Sequence, residues 1–291
     1  MEVSIVPITY KDIKKIIYEM NKIFIFSKKN VQFIHWQYFR NINKARLYKI
    51  IFGNKFAGIS GYQNRFLVNK RKAYHLIGIY VVEKFRGSEL IFKSLKFIKK
   101  KIIKNNFFFA IPNEQLGNLL KVLFVNMDKL DIYSMLLSKN EINKTIKKIN
   151  NLNIKKKLNI NSSIFYKDNT YFQWRYARHP IYKYYFEETT NLVIIFKIYK
   201  KKQTSKLDFI DCIIKKEISI KDYLITILKI SLKYDVDFVN IWSFKNSYLK
   251  KCLIKLNFRV DKFYKKQLVF KNIVDKNYFL SKHIYPGDAD Y

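Results

Sequence analysis

The stretch Ile79-Tyr-Val-Val-Glu-Lys-Phe-Arg-Gly-Ser88 holds the residues whose types and order come nearest to chemistry. It reads as the end of an apolar strand, Ala73 to Val82, that breaks into a glycine-containing turn, Glu83 to Ser88, ahead of an amphipathic helix over Glu89 to Lys104. At such a helix start, unpaired amide N–H groups and the helix dipole face whatever is bound, and Arg86 adds fixed positive charge. An anion, including a pyrophosphate, can be held there. The other reading of Gly87 is that it only relieves a turn.

A second pattern is repetition. The pentad Trp36-Gln-Tyr-Phe-Arg40 returns as Trp174-Arg-Tyr-Ala-Arg178, each time after an aromatic-rich approach and ahead of a predicted strand. A Trp and Tyr at helical spacing most often anchor a core, with the Arg at the rim. The alternative is that Tyr38 and Arg40, or Tyr176, Arg178 and His179, line an acceptor cleft and bind a nucleotide by stacking or by its phosphate.

The elements that must position these residues follow from periodicity. Glu2 to Ile8 alternates as a strand, and Thr9 with Asp12 marks a helix start before KDIKKIIYEMNKIF. Leu47–Ile51 and Phe56–Tyr62 form a hairpin about Gly53-Asn54, and Phe107–Ile111 is a buried strand stopped by Pro112-Asn113 before a helix over Glu114–Phe124. The second copy repeats the order with strands Leu192–Tyr199, Leu207–Lys215 and Phe238–Phe244 and helices Lys221–Lys233 and Ser247–Asn257. Hairpins mixed with one crossover predict an α/β fold in which each unit has a mixed, mostly antiparallel sheet flanked by helices. The predicted organisation is a unit over 1–137, a polar Asn- and Lys-rich connection over 138–170, and a second unit over 171–291.

A chain of 291 residues suits two units of about 140 residues, and its 49% apolar and 17% aromatic content excludes disorder despite a net charge of +35. Only eight of the 57 basic residues are arginine, and Ile, Asn, Phe and Tyr are abundant, so AT-rich coding explains most of the charge better than selection for a polyanion. Nucleic-acid binding is therefore open but not favoured. Cys212 and Cys252 lie too far apart in sequence for a metal or redox motif, and no metal site is expected. No run approaches the roughly 20 apolar residues of a membrane helix, and the start of the chain lacks a signal-peptide layout. The expectation is a cytoplasmic protein with at most peripheral, lysine-mediated membrane contact.

The strand, Arg86-Gly87 loop and helix resemble the acyl-CoA-binding motif of the GNAT superfamily of N-acetyltransferases, and Pro112-Asn113 resembles the place where that superfamily often carries an Asn. The resemblance covers the element order of residues 1 to about 137 and, more weakly, 171 to 272. The pentads, with His179-Pro180 after the second, are similar to bacterial GNAT proteins associated with surface-polysaccharide assembly. What this implies is two tandem GNAT-like units that use acetyl-CoA to acetylate a small amine, a nucleotide-linked amino sugar for surface glycans. By the same resemblance Val81 and Val82 offer backbone groups to the pantetheine arm, and Lys84 keeps a polar role. Arg86, Gly87 and Ser88 cradle the pyrophosphate, and Asn113 touches the cofactor near its thioester.

Glu89 departs from the pattern, which has Gly or Ala there. It either swings outward as a first-turn helix carboxylate or cripples the donor site. The second copy carries Asp211-Cys-Ile-Ile-Lys-Lys-Glu-Ile-Ser219 at the matching place, without Arg-Gly, and is expected to support the first copy and not to bind CoA. Acetyl transfer to an amine needs the free amine, hence a base, and a group to meet the leaving thiolate. The resemblance points to His75 for the first, although a lone His in a strand more often packs. It leaves Tyr133 for the second, since the helix after Asn113 has no Tyr. Other functions compatible with the architecture are an aminoacyl-tRNA-dependent peptidyltransferase, a non-catalytic scaffold, or a module for nucleic acid or acidic membranes.

Overall fold

The computed structural model describes residues 2–21, 30–86, 89–102, 107–112, 114–123, 128–152, 154, 156–159, 164–201 and 203–271. The chain opens with β1 (Val3–Pro7) and α1 (Ile13–Asn21), which turns Ile13, Ile16 and Met20 inward. Next, α2 (Val31–Ile34) runs without a break into a π-helical turn (His35–Phe39). Then come β2 (Ala45–Phe52), β3 (Lys55–Phe66), β4 (Lys72–Val81), α3 (Leu90–Ile102), β5 (Phe107–Ala110), α4 (Glu114–Leu123), β6 (Asp128–Ser138) and α5 (Lys139–Asn151).

The second copy begins after β7 (Lys157–Leu158) with α6 (Asn169–Phe172), which again passes into a π-helical turn (Gln173–Ala177). It continues through β8 (Tyr185–Glu188), β9 (Leu192–Lys201), β10 (Thr204–Ile214), β11 (Ile218–Ser219), α7 (Ile220–Lys233), β12 (Phe238–Phe244), α8 (Tyr248–Lys255) and β13 (Arg259–Lys271). The α/β expectation and the repeated element order hold. Periodicity alone did not single out β6, β8 or β13.

Among the described residues the two mixed sheets join edge to edge in the order β1-β2-β3-β4-β5-β13-β6-β12-β10-β9-β8, and β7 pairs with β11 in a separate ribbon. Among the described strands only β4 with β5 and β10 with β12 run parallel, as the crossovers through α3 and α7 require. The order reverses about the β13–β6 junction, so β2 to β5 answer β8, β9, β10 and β12. The last strand of each copy is exchanged: β13 pairs with β5 of the first copy and β6 with β12 of the second. The exchange couples the copies through backbone hydrogen bonds as well as through packing.

One face of the sheet carries α3 and α4, whose Leu95, Ile98, Leu120 and Leu123 pack on Leu76, Phe108 and Ala110. On the same face α5, α7 and α8 cover the second half. The opposite face holds the pentads. Trp36, Tyr38, Trp174 and Tyr176 share one buried cluster with Ile59 and Ile77 from the first half and Ile195 and Ile210 from the second. The tryptophans stack at 4.8 Å between ring centroids, and each indole N–H donates to the other's carbonyl, at 2.9 Å from Trp36 to Trp174 and 3.4 Å in return.

The π-helical turns make this exchange possible. In an α-helix the carbonyl of Trp174 would accept from Arg178 N–H, but Arg178 N–H reaches back to Gln173, just as Arg40 N–H reaches His35. Each Trp carbonyl is thereby released to the opposite indole. Both short helices start alike, with Asn30 capping Phe33 N–H and Asp168 capping Tyr171 N–H.

Candidate functional site

β4 is paired to β5 only over Ala73–His75, opposite Phe107–Phe109. Beyond His75 it continues to Val81 on β3 alone, because β5 ends at Ala110 and the chain turns away through Ile111-Pro112. Among the described residues the parting strands leave an edge of β4 unpaired, which leads into the loop before α3. A β-bulge and Gly78, at φ 61°, shape this edge, and a Cβ at Gly78 would come within 2.5 Å of the Tyr38 hydroxyl.

Val82 N–H donates to the Ala57 carbonyl and the Val82 carbonyl accepts from Phe85 N–H, so both of its backbone groups are engaged within the chain. Residues 83–85 make one 3-10 turn. Lys84 extends over the Phe85 ring, and the exposed Arg86 folds back with Nε 3.4 Å from the Val81 carbonyl. Gly87, Ser88 and Asn113 lie outside the described residues. Glu89 opens α3, its carbonyl accepting from Lys93 N–H. Its carboxylate is 79% exposed and pairs with the Lys93 ammonium at 3.1 Å, the outward arrangement.

His75 stands where the strands part. It is buried, stacks on Phe109 at 4.4 Å, and its Nδ1 lies 3.0 Å from Gln63 Nε2. Gln63 Oε1 in turn accepts from Asn41 Nδ2 at 2.8 Å. Neither Asn41 nor Gln63 was singled out from sequence. Gln63 is one of three buried polar residues on β3, with Ser60 and Arg65, and polar residues inside a strand are the signal that marks it.

Tyr133, on β6, lies on the other face of the sheet. It packs against the cluster of Met135 and Leu137 beneath the Lys250 ammonium, 4.1 Å from its ring, whereas Phe109, the partner of His75, clusters with Leu130 and Ile132. Burial, together with the charge of Lys245, lowers the Lys250 pKa. The structure does not bring Tyr133 and His75 to one centre.

Tyr38 and Tyr176 are core residues, while Arg40 and Arg178 are exposed. His179 is half-buried against Trp36, at 4.3 Å, and its Nδ1 accepts from the amides of Ile181 and Tyr182. A pocket of about 90 Å³ lies between α1 and the β2–β3 hairpin, lined by Asp12, Lys15, Ile16, Lys49, Asn54 and Phe56. Burial raises the Asp12 pKa, but hydrogen bonds from Lys49 and Thr9 outweigh it and hold the carboxyl below its ordinary value.

In the second copy a buried charged cluster stands at the corresponding parting of strands. β10 parts from β12 after Asp208, as β4 does from β5 after His75, so Asp211 falls where the first copy has Gly78. Asp211 is fully buried. Its carboxylate takes the Lys167 ammonium at 2.9 and 2.8 Å, the Tyr176 hydroxyl at 2.5 Å and Cys212 N–H at 2.9 Å. Burial, then the charge of Asp211, push the Tyr176 pKa well above its ordinary value.

Five residues join β10 to α7 where eight join β4 to α3. The start of α7 is also already satisfied: Ile220 N–H donates to the Lys156 carbonyl and Asp222 N–H to the Ser219 hydroxyl. The β7–β11 ribbon lies beside this end, and these two amides are not available to an anion. Among the described residues no group of His, Cys, Asp or Glu could hold a metal ion, and no helix is long and apolar enough to cross a membrane.

No protein-family model and no curated protein sequence matches the chain. Solved structures do match. A GCN5-related N-acetyltransferase from Anabaena variabilis superposes with a TM-score of 0.63 at 11% identity, covering 93% of this chain and 72% of that one. A second GCN5-related N-acetyltransferase, from Kribbella flavida, gives 0.57 at 8% identity, with 93% and 72% covered. A tandem GNAT protein from the clavulanic acid biosynthesis pathway gives 0.54 at 8% identity, covering 93% of this chain and 98% of that one. At these identities the likeness defines the fold: this chain has the architecture of a GNAT-type protein built from two tandem units.

Proposed function

We propose that the chain is an acetyl-CoA-dependent N-acyltransferase whose first copy binds the donor and whose second copy supports it. The observation that carries this reading is the asymmetry of two equivalent clefts. Among the described residues the β4 edge is unpaired past His75 and leads to a loop with Arg86, while the β10 strand carries a buried Lys167–Asp211–Tyr176 cluster and runs to a helix start already capped. The donor fits the first cleft. The open edge of β4 suits an extended pantetheine arm, Val81 is the backbone position at its end, and Arg86 and Lys84 supply positive charge for the pyrophosphate. Gly87, Ser88 and Asn113 complete that role on the sequence motif alone. Bound acetyl-CoA would supply an activated acetyl group. Glu89 is no obstacle, because its carboxylate points to Lys93.

We assign the acceptor to the class of small amines, a nucleotide-linked amino sugar for surface glycans being the leading candidate. Arg40, Arg178 and His179 are the groups offered to it, and Lys15 lines the pocket beside α1, where Lys49 is already paired with Asp12. Tyr38 and Tyr176 serve by fixing the walls, since both are buried. His75 stands at the parting of the strands, so whatever role it has in transfer is set by the contacts of its ring with Gln63 and Phe109. Tyr133, on the opposite face, would act only through β6. The buried thiols Cys212 and Cys252 suit a reducing, cytoplasmic setting.

Isothermal titration with acetyl-CoA tests the proposal. Binding should weaken about three- to tenfold in Arg86→Ala, the loss of one exposed charge contact of about 1 kcal/mol. An absence of binding at millimolar acetyl-CoA would sink the reading. Steeply salt-dependent RNA binding with indifference to CoA would point instead to an aminoacyl-tRNA donor.

A further inference from the structure

A buried polar chain runs from the first pentad to His75, and its orientation is set at the backbone. Asn41 lies five residues after Trp36. Its Oδ1 accepts from Asn43 N–H at 2.8 Å, and its Nδ2 donates to the Gln37 carbonyl at 2.9 Å. An N–H can only donate and a carbonyl can only accept, so the two contacts independently fix which way the Asn41 amide points. Nδ2 also donates to Gln63 Oε1 at 2.8 Å, which turns Gln63 Nε2, a donor, toward His75 Nδ1 at 3.0 Å. Nδ1 must therefore accept with its lone pair, which puts the ring proton on Nε2. Asn41, Gln37, Gln63 and His75 are all buried, at 7, 5, 1 and 2% exposure, so reversing any link would strand polar groups away from water.

The second copy lacks this chain. Its residue five after the Trp is His179, and the pair that answers Gln63 and His75 across β3 and β4 is Lys197 and Asp208 across β9 and β10. The amide relay belongs to the copy with the open cleft.

We infer that Asn41 and Gln63 are positioning residues that hold His75 as its neutral Nε2–H tautomer, so that its basic nitrogen is committed to Gln63 and the imidazole is not the base of the proposed reaction. The last clause rests on the acyltransferase reading; the tautomer does not.

Long-range ¹H–¹⁵N correlation spectra of the full-length protein at neutral pH, with the His75 signals assigned through His75→Gln, test it. His75 should show a protonated Nε2 and an unprotonated Nδ1. Gln63→Glu presents an acceptor-only carboxylate to Nδ1 and should move the proton there. Asn41→Asp should do the same from a distance, because Gln63 must then turn its amide around. A wild-type ring protonated at Nδ1, or a folded Asn41→Asp protein that keeps the wild-type pattern, overturns the inference. If Asn41→Asp does not fold, the wild-type and Gln63→Glu spectra decide. Titrating acetyl-CoA into the same samples keeps failure of the donor reading distinct from failure of the tautomer.

Discussion

Removing the carboxylate at the centre of the second copy should be the most costly single change in that half. Asp211 is fully buried beside Lys167, whose side chain is 4% exposed, and it accepts from the ammonium, the Tyr176 hydroxyl and Cys212 N–H together. Asp211→Ala deprives the ammonium of this counter-charge, and breaking one side of a buried ion pair costs about 3–5 kcal/mol. The Tyr176 hydroxyl also loses a charge-assisted bond of about 1.5–3 kcal/mol. The two figures describe one lost group and overlap, so a total near 4 kcal/mol is expected, at the top of what single substitutions do.

Urea unfolding at pH 7, followed by tryptophan fluorescence, measures the loss. The double variant Lys167→Met/Asp211→Leu should recover most of it, because an apolar replacement of a buried pair is near neutral once neither charge remains. A loss below about 1 kcal/mol in Asp211→Ala, or a double variant no better than the single, would refute the view that this is a buried cluster held by charge compensation.

Three further outcomes can be checked in the same way. Gly78→Ala should destabilise the chain by at least about 1–2 kcal/mol, since φ there is 61° and the new Cβ would meet the Tyr38 hydroxyl; an unchanged unfolding midpoint would contradict it. Trp36→Phe should cost more than Trp174→Phe, because the first loses the 2.9 Å bond to a buried carbonyl and the second the 3.4 Å one; equal costs would show that stacking alone holds the pentads. Burial lowers the Lys266 pKa to about 8 from 10.5, so between those values the unfolded chain holds a proton that the folded one has lost, and stability from this group rises with pH. Lys266→Met should therefore raise the Tm at pH 7, by an amount that shrinks as the pH approaches 10.5, and a pH-independent Tm difference would refute it.

Much of the architecture was legible locally. The Trp36 and Trp174 pentads disclosed the duplication, and alternation and helical spacing placed β4, β12, α3 and α7 within a few residues of their positions. Arg86-Gly87 in one copy and its absence in the other marked the asymmetry before any contact was known. The core reading of the pentad Trp and Tyr followed from their chemistry, but that Trp36 would meet Trp174 did not, since 138 residues separate them.

The sequence by itself determined the elements, their repeated order and which copy carries the Arg-Gly loop, because each is encoded in the spacing of neighbouring side chains. Only the tertiary structure decided that β6 and β13 change places, that Lys167 and Asp211 pair in the interior of the second copy, and that Asn41 and Gln63 contact His75 in a chain. Those are choices of partner between distant segments. Periodicity states which face a residue turns inward, but what it finds there depends on how the two halves close on each other.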